Sequence, residues 1–420
     1  MRAKLLSFFI LCGILSLLSV AAAHQARAGL IRVESESFLS GRNGSDYRFE
    51  LPVREFMAGS YVSEKRNVEV NTNFSMDWNP THSKRGVELY LMDFNYEAVP
   101  DLLAVRAGRL FDSHYSIGTN TLDAVAAEMF FLQKQLRVGG YIGIERKLET
   151  ENFGSLGSLR GGNIHFTQSS MTPLSLTAKF QQRTFPTDRL MDDENLVQLA
   201  GMKPFAGSLS PEFLFDSTYH LGHHNMERLE TGVNLYPSLR ASSHLKFLTF
   251  NLRNNEGPIQ PIYSIFSTGR LYEALGQFET QLHPSLIGSL SFAYDDYPSS
   301  VLKRSQGYRA ELEFRFLPES GSLTNTSYFF KSYGGEVYGD RIRLGQFMSR
   351  KFELFELADV TYYRKITNAK RFATSAQIGL SSWMADQFRF DFGGEFNSNN
   401  FMKYDLRVLA KLTYLLWKET

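Results

Sequence analysis

The chain has 420 residues, of which 43% are hydrophobic, 14% aromatic and 21% charged, with a formal net charge of +1. A balance so near zero, without any basic tract to neutralise phosphates, argues against a nucleic-acid partner. The mean hydropathy of −0.25, and the lack of apolar runs of about 20 residues beyond the N-terminus, argue against a bundle of membrane helices.

Met1–Ala23 begins with the basic residues Arg2 and Lys4, continues through an apolar core from Leu5 to Val20 and ends on the small residues Ala21 and Ala23. This is the pattern of a secretory signal peptide. Cleavage after Ala23 fits, and Ala26-Arg27-Ala28 offers a second site as late as residue 28. Cys12, the single cysteine, lies inside the apolar core, so the processed chain has none. Structural disulfides, thiol catalysis and cysteine metal sites are excluded together.

Alternation of apolar and polar residues then runs through the chain. From Leu30 to Phe56 it is short and mixed, and fits either barrel strands or a periplasmic entry segment. Asn67–Trp78 is clearer, with Val68, Val70, Thr72, Phe74, Met76 and Trp78 on one face. In Val87–Tyr96 the apolar set moves from Val87, Leu89 and Leu91 to Phe94 and Tyr96, a one-residue slip that predicts a β-bulge. Further ribbons are predicted at 102–110, 122–132, 135–146, 161–170 and 174–184. Leu190–Met202 breaks the rhythm. Its acidic start, Asp192, Asp193 and Glu194, leads Leu196, Val197, Leu199 and Ala200, and predicts a short helix that narrows the interior or caps the loops. Strand orientation counted across this stretch fails by one.

After Pro211 the alternation returns through ribbons at 211–220, 226–236, 244–253, 271–282, 285–296, 307–317, 322–331, 341–351, 354–365 and 371–382. The clearest come last. Phe388, Phe390, Phe392, Gly394 and Phe396 share one face of Gln387–Asn397, with Arg389, Asp391 and Glu395 on the other. In Lys403–Trp417, Tyr404, Leu406, Val408, Ala410, Leu412, Tyr414 and Leu416 oppose Asp405, Arg407 and Lys411. Side chains alternate across a strand, so these are two-faced ribbons. Their length, about 11–13 residues, is near what a tilted strand needs to cross a bilayer.

These features predict an all-β fold, a transmembrane antiparallel up-and-down β-barrel of about 18–20 strands with short periplasmic turns and longer extracellular loops. Closure is a physical requirement, because unpaired backbone groups in hydrocarbon cost several kcal/mol each. Residues 29–420 read as a single barrel domain behind the leader.

The pattern resembles Gram-negative outer-membrane barrels of the porin-like class, and the pair Leu103–Arg109 with Leu122-Asp123-Ala124-Val125 is similar to a strand pair seen in many such families. The resemblance implies location in the cell outer membrane, contact with its lipid and lipopolysaccharide, and delivery by the barrel insertion machinery. Such barrels usually end on an aromatic residue; here Trp417 is followed by Lys418-Glu419-Thr420 and is out of phase with Tyr414 and Leu416.

If the aromatic face meets lipid, the other face lines the interior. The candidate lining residues are Arg106, Arg137, Glu145, Lys179, Arg183, Arg309, Glu311, Glu313, Arg315, Arg389, Asp391, Glu395, Asp405, Arg407 and Lys411. Both signs are interleaved, which argues against a strongly anion- or cation-selective filter. The function this implies is passive diffusion of small hydrophilic solutes, with no enzymatic activity and no cofactor. Two other readings stand beside it. One is export of a polymer such as exopolysaccharide, which would favour a lumen of one charge sign. The other is lipid hydrolysis by His114 and Ser116, which point to the same face of a strand and resemble the base and nucleophile of outer-membrane lipases. His220, His223 and His224 cluster around Gly222, and Asp188, Asp192, Asp193 and Glu194 form an acidic run. Solvated loops explain both, and no metal site is assigned. Monomer and homotrimer fit equally, since a lipid face and a trimer interface are both apolar.

Overall fold

The computed structural model describes residues 29–419 except 45–46, 51–52, 64, 66, 80–83, 113–115, 118–119, 147–154, 169–172, 186–192, 252–269, 298–304, 333–334, 366–369 and 400–402. The leader, His114, Asp188 and Asp192 lie outside the described residues. The strands are β1 (Gly29–Gly44), β2 (Tyr47–Glu50), β3 (Val53–Ser63), β4 (Val68–Asn79), β5 (Lys84–Val99), β6 (Leu103–Asp112), β7 (Asn120–Phe131) and β8 (Leu136–Arg146). They continue as β9 (Ser155–Gln168), β10 (Leu174–Thr184), β11 (Glu194–Pro204), β12 (Glu212–His220), β13 (Asn225–Ser238), β14 (Ala241–Asn251), β15 (Arg270–His283) and β16 (Leu286–Tyr297). The last are β17 (Ser305–Phe316), β18 (Gly321–Ser332), β19 (Gly335–Ser349), β20 (Phe352–Lys365), β21 (Lys370–Ala385), β22 (Phe388–Asn399) and β23 (Asp405–Glu419).

From β3 onward each strand pairs antiparallel with the next, and β1 closes the wall against β23 from Leu30↔Glu419 to Gly44↔Asp405. Both β2 and β3 pair with β1, so the two are successive parts of one stave. The result is a closed antiparallel barrel of 22 staves. This count exceeds the 18–20 expected from sequence. Three staves account for the gap: β1, the β2–β3 stave and β11. The described residues between Leu30 and Phe56 are barrel wall. Leu190–Met202 does not hold the predicted helix, because Glu194–Pro204 is a strand paired on both sides, Lys179↔Gln198 with β10 and Gln198↔Thr218 with β12. That strand also restores the orientation count. The predicted bulge is present: Asn73 pairs with Leu91 and Phe74 with Leu89, leaving Tyr90 as the extra residue of β5.

The register sorts every strand into two faces. Phe388, Phe392 and Phe396 of β22, and Leu406, Val408 and Leu412 of β23, are exposed on the outside. Lipid is the environment in which such a surface is stable. Rings mark its edges. Near the long-loop end, Tyr294 lies tilted beside Tyr308, and Phe329, Tyr338, Tyr362 and Phe372 follow with centroid separations of 4.9, 6.3 and 5.1 Å. Just beyond them Glu336 pairs with Arg364 (2.7 Å) and Lys331 (3.5 Å), the charged rim expected where water begins. Near the short-turn end, Phe388 lies 4.9 Å from Tyr414, and Phe205 lies 5.3 Å from Phe213. Aromatic girdles at both interfaces are a property of transmembrane barrels.

Glycines on the inner face make room for aromatic rings across the strand pair. A Cβ at Gly379 would fall within the ring of Phe355, and one at Gly339 within that of Tyr328. The rings shield backbone that glycine leaves bare.

Candidate functional site

The inner face carries the charges. Register places Arg106, Arg137, Lys179, Arg309, Glu311, Glu313, Arg315, Arg389, Asp391, Glu395, Asp405, Arg407 and Lys411 all opposite the lipid-facing rows. Most stand in ion pairs between neighbouring positions. Arg106 meets Asp93 (2.6 Å), Arg309 meets Asp295 (3.3 Å) and Glu273, and Arg315 meets Glu313 (3.1 Å) and Glu279. Arg389 meets Asp391 (2.8 Å), Arg407 meets Asp405 (2.7 Å) and Glu395 (3.8 Å), and Lys411 meets Glu36. Arg137 is half-buried, and its Nε has no hydrogen-bond partner. Interleaved pairs leave little net field along the wall.

One sector is built differently. On the inner face of β6–β9, Leu110, Leu122, Ala124, Ala126, Tyr141 and Leu159 form a buried apolar cluster. Apolar side chains turned toward a water-filled interior need a cover. The connection after β6 supplies one. Ser116 and Ile117 are buried at 0% and 8% exposure. The Ile117 N–H donates to Gln181 Oε1 (2.8 Å), which also accepts from the Tyr141 hydroxyl (3.1 Å). Lys179 Nζ donates to the Ser116 carbonyl (3.0 Å). Gln181 and Lys179 are inward-facing positions of β10, so this segment is fastened inside the wall. Long-range side chains hold it, and its sequence carried no sign of this placement.

Beside the segment, Arg183 joins Glu145 (2.9 Å) and Glu194 (3.1 Å) in a buried triad across β8, β10 and β11. Glu194, which read as a helix start, is thus part of the inner wall. A second inward feature lies across the barrel. Glu311, Glu313, Tyr328, Phe330, Arg341 and Arg343, with Thr324, Thr326 and Val337, line a recess of about 370 Å³. Arg341 is held by Asp359 (2.8 Å), which also accepts from Tyr328 (2.7 Å). Among the described residues Arg343 and Glu311 have no ion-pair partner.

The remaining candidates take structural places. Ser116 is shut against the inner wall, away from lipid. His220 is buried, accepts the His223 N–H at its Nδ1 (3.0 Å) and stacks on the His223 ring at 4.2 Å. Among the described residues no three His, Cys, Asp or Glu side chains converge on a metal position. In the porin-like echo Arg109 of β6 is tied to Asp123 of β7 outside (2.7 and 3.0 Å), while Arg106 ties β6 to Asp93 of β5 inside.

No protein-family model matches the chain, and no curated protein matches it in sequence. Solved structures do share its shape. The siderophore receptor PirA from Pseudomonas aeruginosa is 10% identical, with 91% of this chain and 80% of that one covered at a TM-score of 0.60. A variant of the ferric enterobactin receptor PfeA from the same organism, in complex with enterobactin, is 9% identical over 93% of this chain and 82% of that one, at 0.63. OpdO from Pseudomonas aeruginosa is 9% identical over 93% and 97%, at 0.48. The closed wall, its two aromatic girdles and the likeness to the two receptors show the fold, a closed antiparallel β-barrel of the outer-membrane kind.

Proposed function

We propose that the barrel is a channel for passive diffusion of small hydrophilic solutes, narrowed by the Ser116–Ile117 segment. The observation that carries this reading is the inner face itself, polar and charged except for the apolar sector of β6–β9, over which an inward segment is fastened. A barrel this wide is not filled by its own side chains, so water occupies what the segment leaves open. Charges of both signs in neighbouring pairs support weak ion selectivity. They also weigh against polymer export through a lumen of one sign. Burial of Ser116 on the inner side weighs against hydrolysis of membrane lipid by that residue. In this reading residues 1–23 direct secretion and are removed.

The test is a charge-neutral release of the segment. Gln181→Leu deletes the acceptor of two hydrogen bonds, together about 1–3 kcal/mol. In planar bilayers the variant is expected to show larger single-channel conductance than the parent. Equal conductance would remove the segment from the path.

A further inference from the structure

The outer wall carries polar groups where a bilayer offers them nothing. On β20 the outward row runs Phe352, Leu354, Glu356, Ala358, Val360 and Tyr362, fixed by the pairing of Glu356 with Leu344 and Ile378. Phe352 and Tyr362 mark the lower and upper edges of the apolar band, so Glu356 stands inside it. Glu356 is exposed, and among the described residues it has no hydrogen bond or ion pair. Two strands away, Asn325 faces outward from β18, opposite Ile342 of β19. Asp340 and Ser327 stand above it, hydrogen-bonded to each other.

Several other outward charged groups are satisfied within the chain. Glu55 is buried and accepts from Ser35 (2.8 Å) and Ser37 (3.2 Å), and Arg109 is paired with Asp123. On the β18–β20 face a donor and an ionisable acceptor are both left open among the described residues. An ionisable group on a hydrocarbon-facing surface is unfavourable unless another group meets it.

We propose that this face is the interface with a second copy of the same chain, related by a two-fold axis along the membrane normal. The complementarity is internal to the patch. Asn325 and Glu356 flank β19 on either side, and each stands the same number of positions above the first residue of its strand, Gly321 and Phe352. They are therefore at equal depth, roughly 10 Å apart across two strand spacings. A two-fold axis passing in front of β19 sets the Asn325 amide of one copy against the Glu356 carboxyl of the other, and the reverse pair against it. An isologous contact needs a patch that completes itself in this way. The inference does not rest on the channel reading.

The processed chain lacks cysteine, so one introduced thiol reports the contact. Ile342→Cys, at the centre of the patch, is expected to give a band of doubled mass when outer membranes are oxidised and run without reductant. Ile142→Cys, outward on β8 eleven staves away on the opposite wall, and the parent chain serve as controls. In an Ile342→Cys background, Asn325→Leu with Glu356→Leu keeps the wall apolar and is expected to lower the doubled band at least about tenfold, the factor that 1.4 kcal/mol gives. A doubled band no stronger for Ile342→Cys than for Ile142→Cys would overturn the proposal. So would a band that survives the two leucines, or a product whose added mass is not that of this chain.

Discussion

Arg183 is a buried cation that holds two carboxylates of the inner wall at once. It is 3% exposed and bridges Glu145 and Glu194. Arg183→Met leaves two carboxylates buried together, a loss of about 3–5 kcal/mol for an uncompensated buried pair. The expected readout is a lower urea midpoint in micelles, partly restored when Glu145→Leu and Glu194→Leu are added. Gly379 is sensitive for a steric reason. Gly379→Val forces the Phe355 ring from its place and is expected to destabilise by about 1–3 kcal/mol in the same assay. Neither residue announces this in sequence. Arg183 appears among the interior charges, but its partner Glu194 sits in a stretch whose acidic start imitates a helix N-terminus.

At the scale of elements, legibility followed the contrast between the two faces. In β22 and β23 the outward positions from Phe388 to Phe396 and from Leu406 to Leu416 are all apolar, aromatic or glycine, and the alternation could be read directly. In β5 even the bulge was visible, because the apolar set changed parity. In β11 the inward row, Glu194, Leu196, Gln198, Ala200 and Met202, is as apolar as the outward row, Asn195, Val197, Leu199, Gly201 and Lys203. Without contrast a period of two is lost, and the strand read as a helix. The turn after β7 shows a different local demand. Leu132, Gln133 and Lys134 all adopt positive φ, at 50°, 55° and 66°. A left-handed backbone costs a side-chain-bearing residue roughly 1–2 kcal/mol. Gln133→Gly is therefore expected to raise the unfolding midpoint, by up to about 1 kcal/mol after the added freedom of the unfolded chain is counted.

For the whole molecule, the sequence supports a closed barrel because no open edge survives in lipid, and the structure closes β1 on β23 along their full lengths. The inward segment was not legible for a related reason. Its anchors, Lys179 and Gln181, lie on β10, across β7, β8 and β9 from the connection they hold, and nothing in the spacing of Phe111–Thr121 names them. The interior recess and the β18–β20 face depend likewise on register between strands.

The measurement that bears most directly on the channel is single-channel recording of the refolded, processed chain in a planar bilayer under a salt gradient, with Gln181→Leu alongside. The channel reading predicts stepwise persistent openings, weak selectivity and a larger step for Gln181→Leu. An inserted barrel that stays silent in both forms would contradict it.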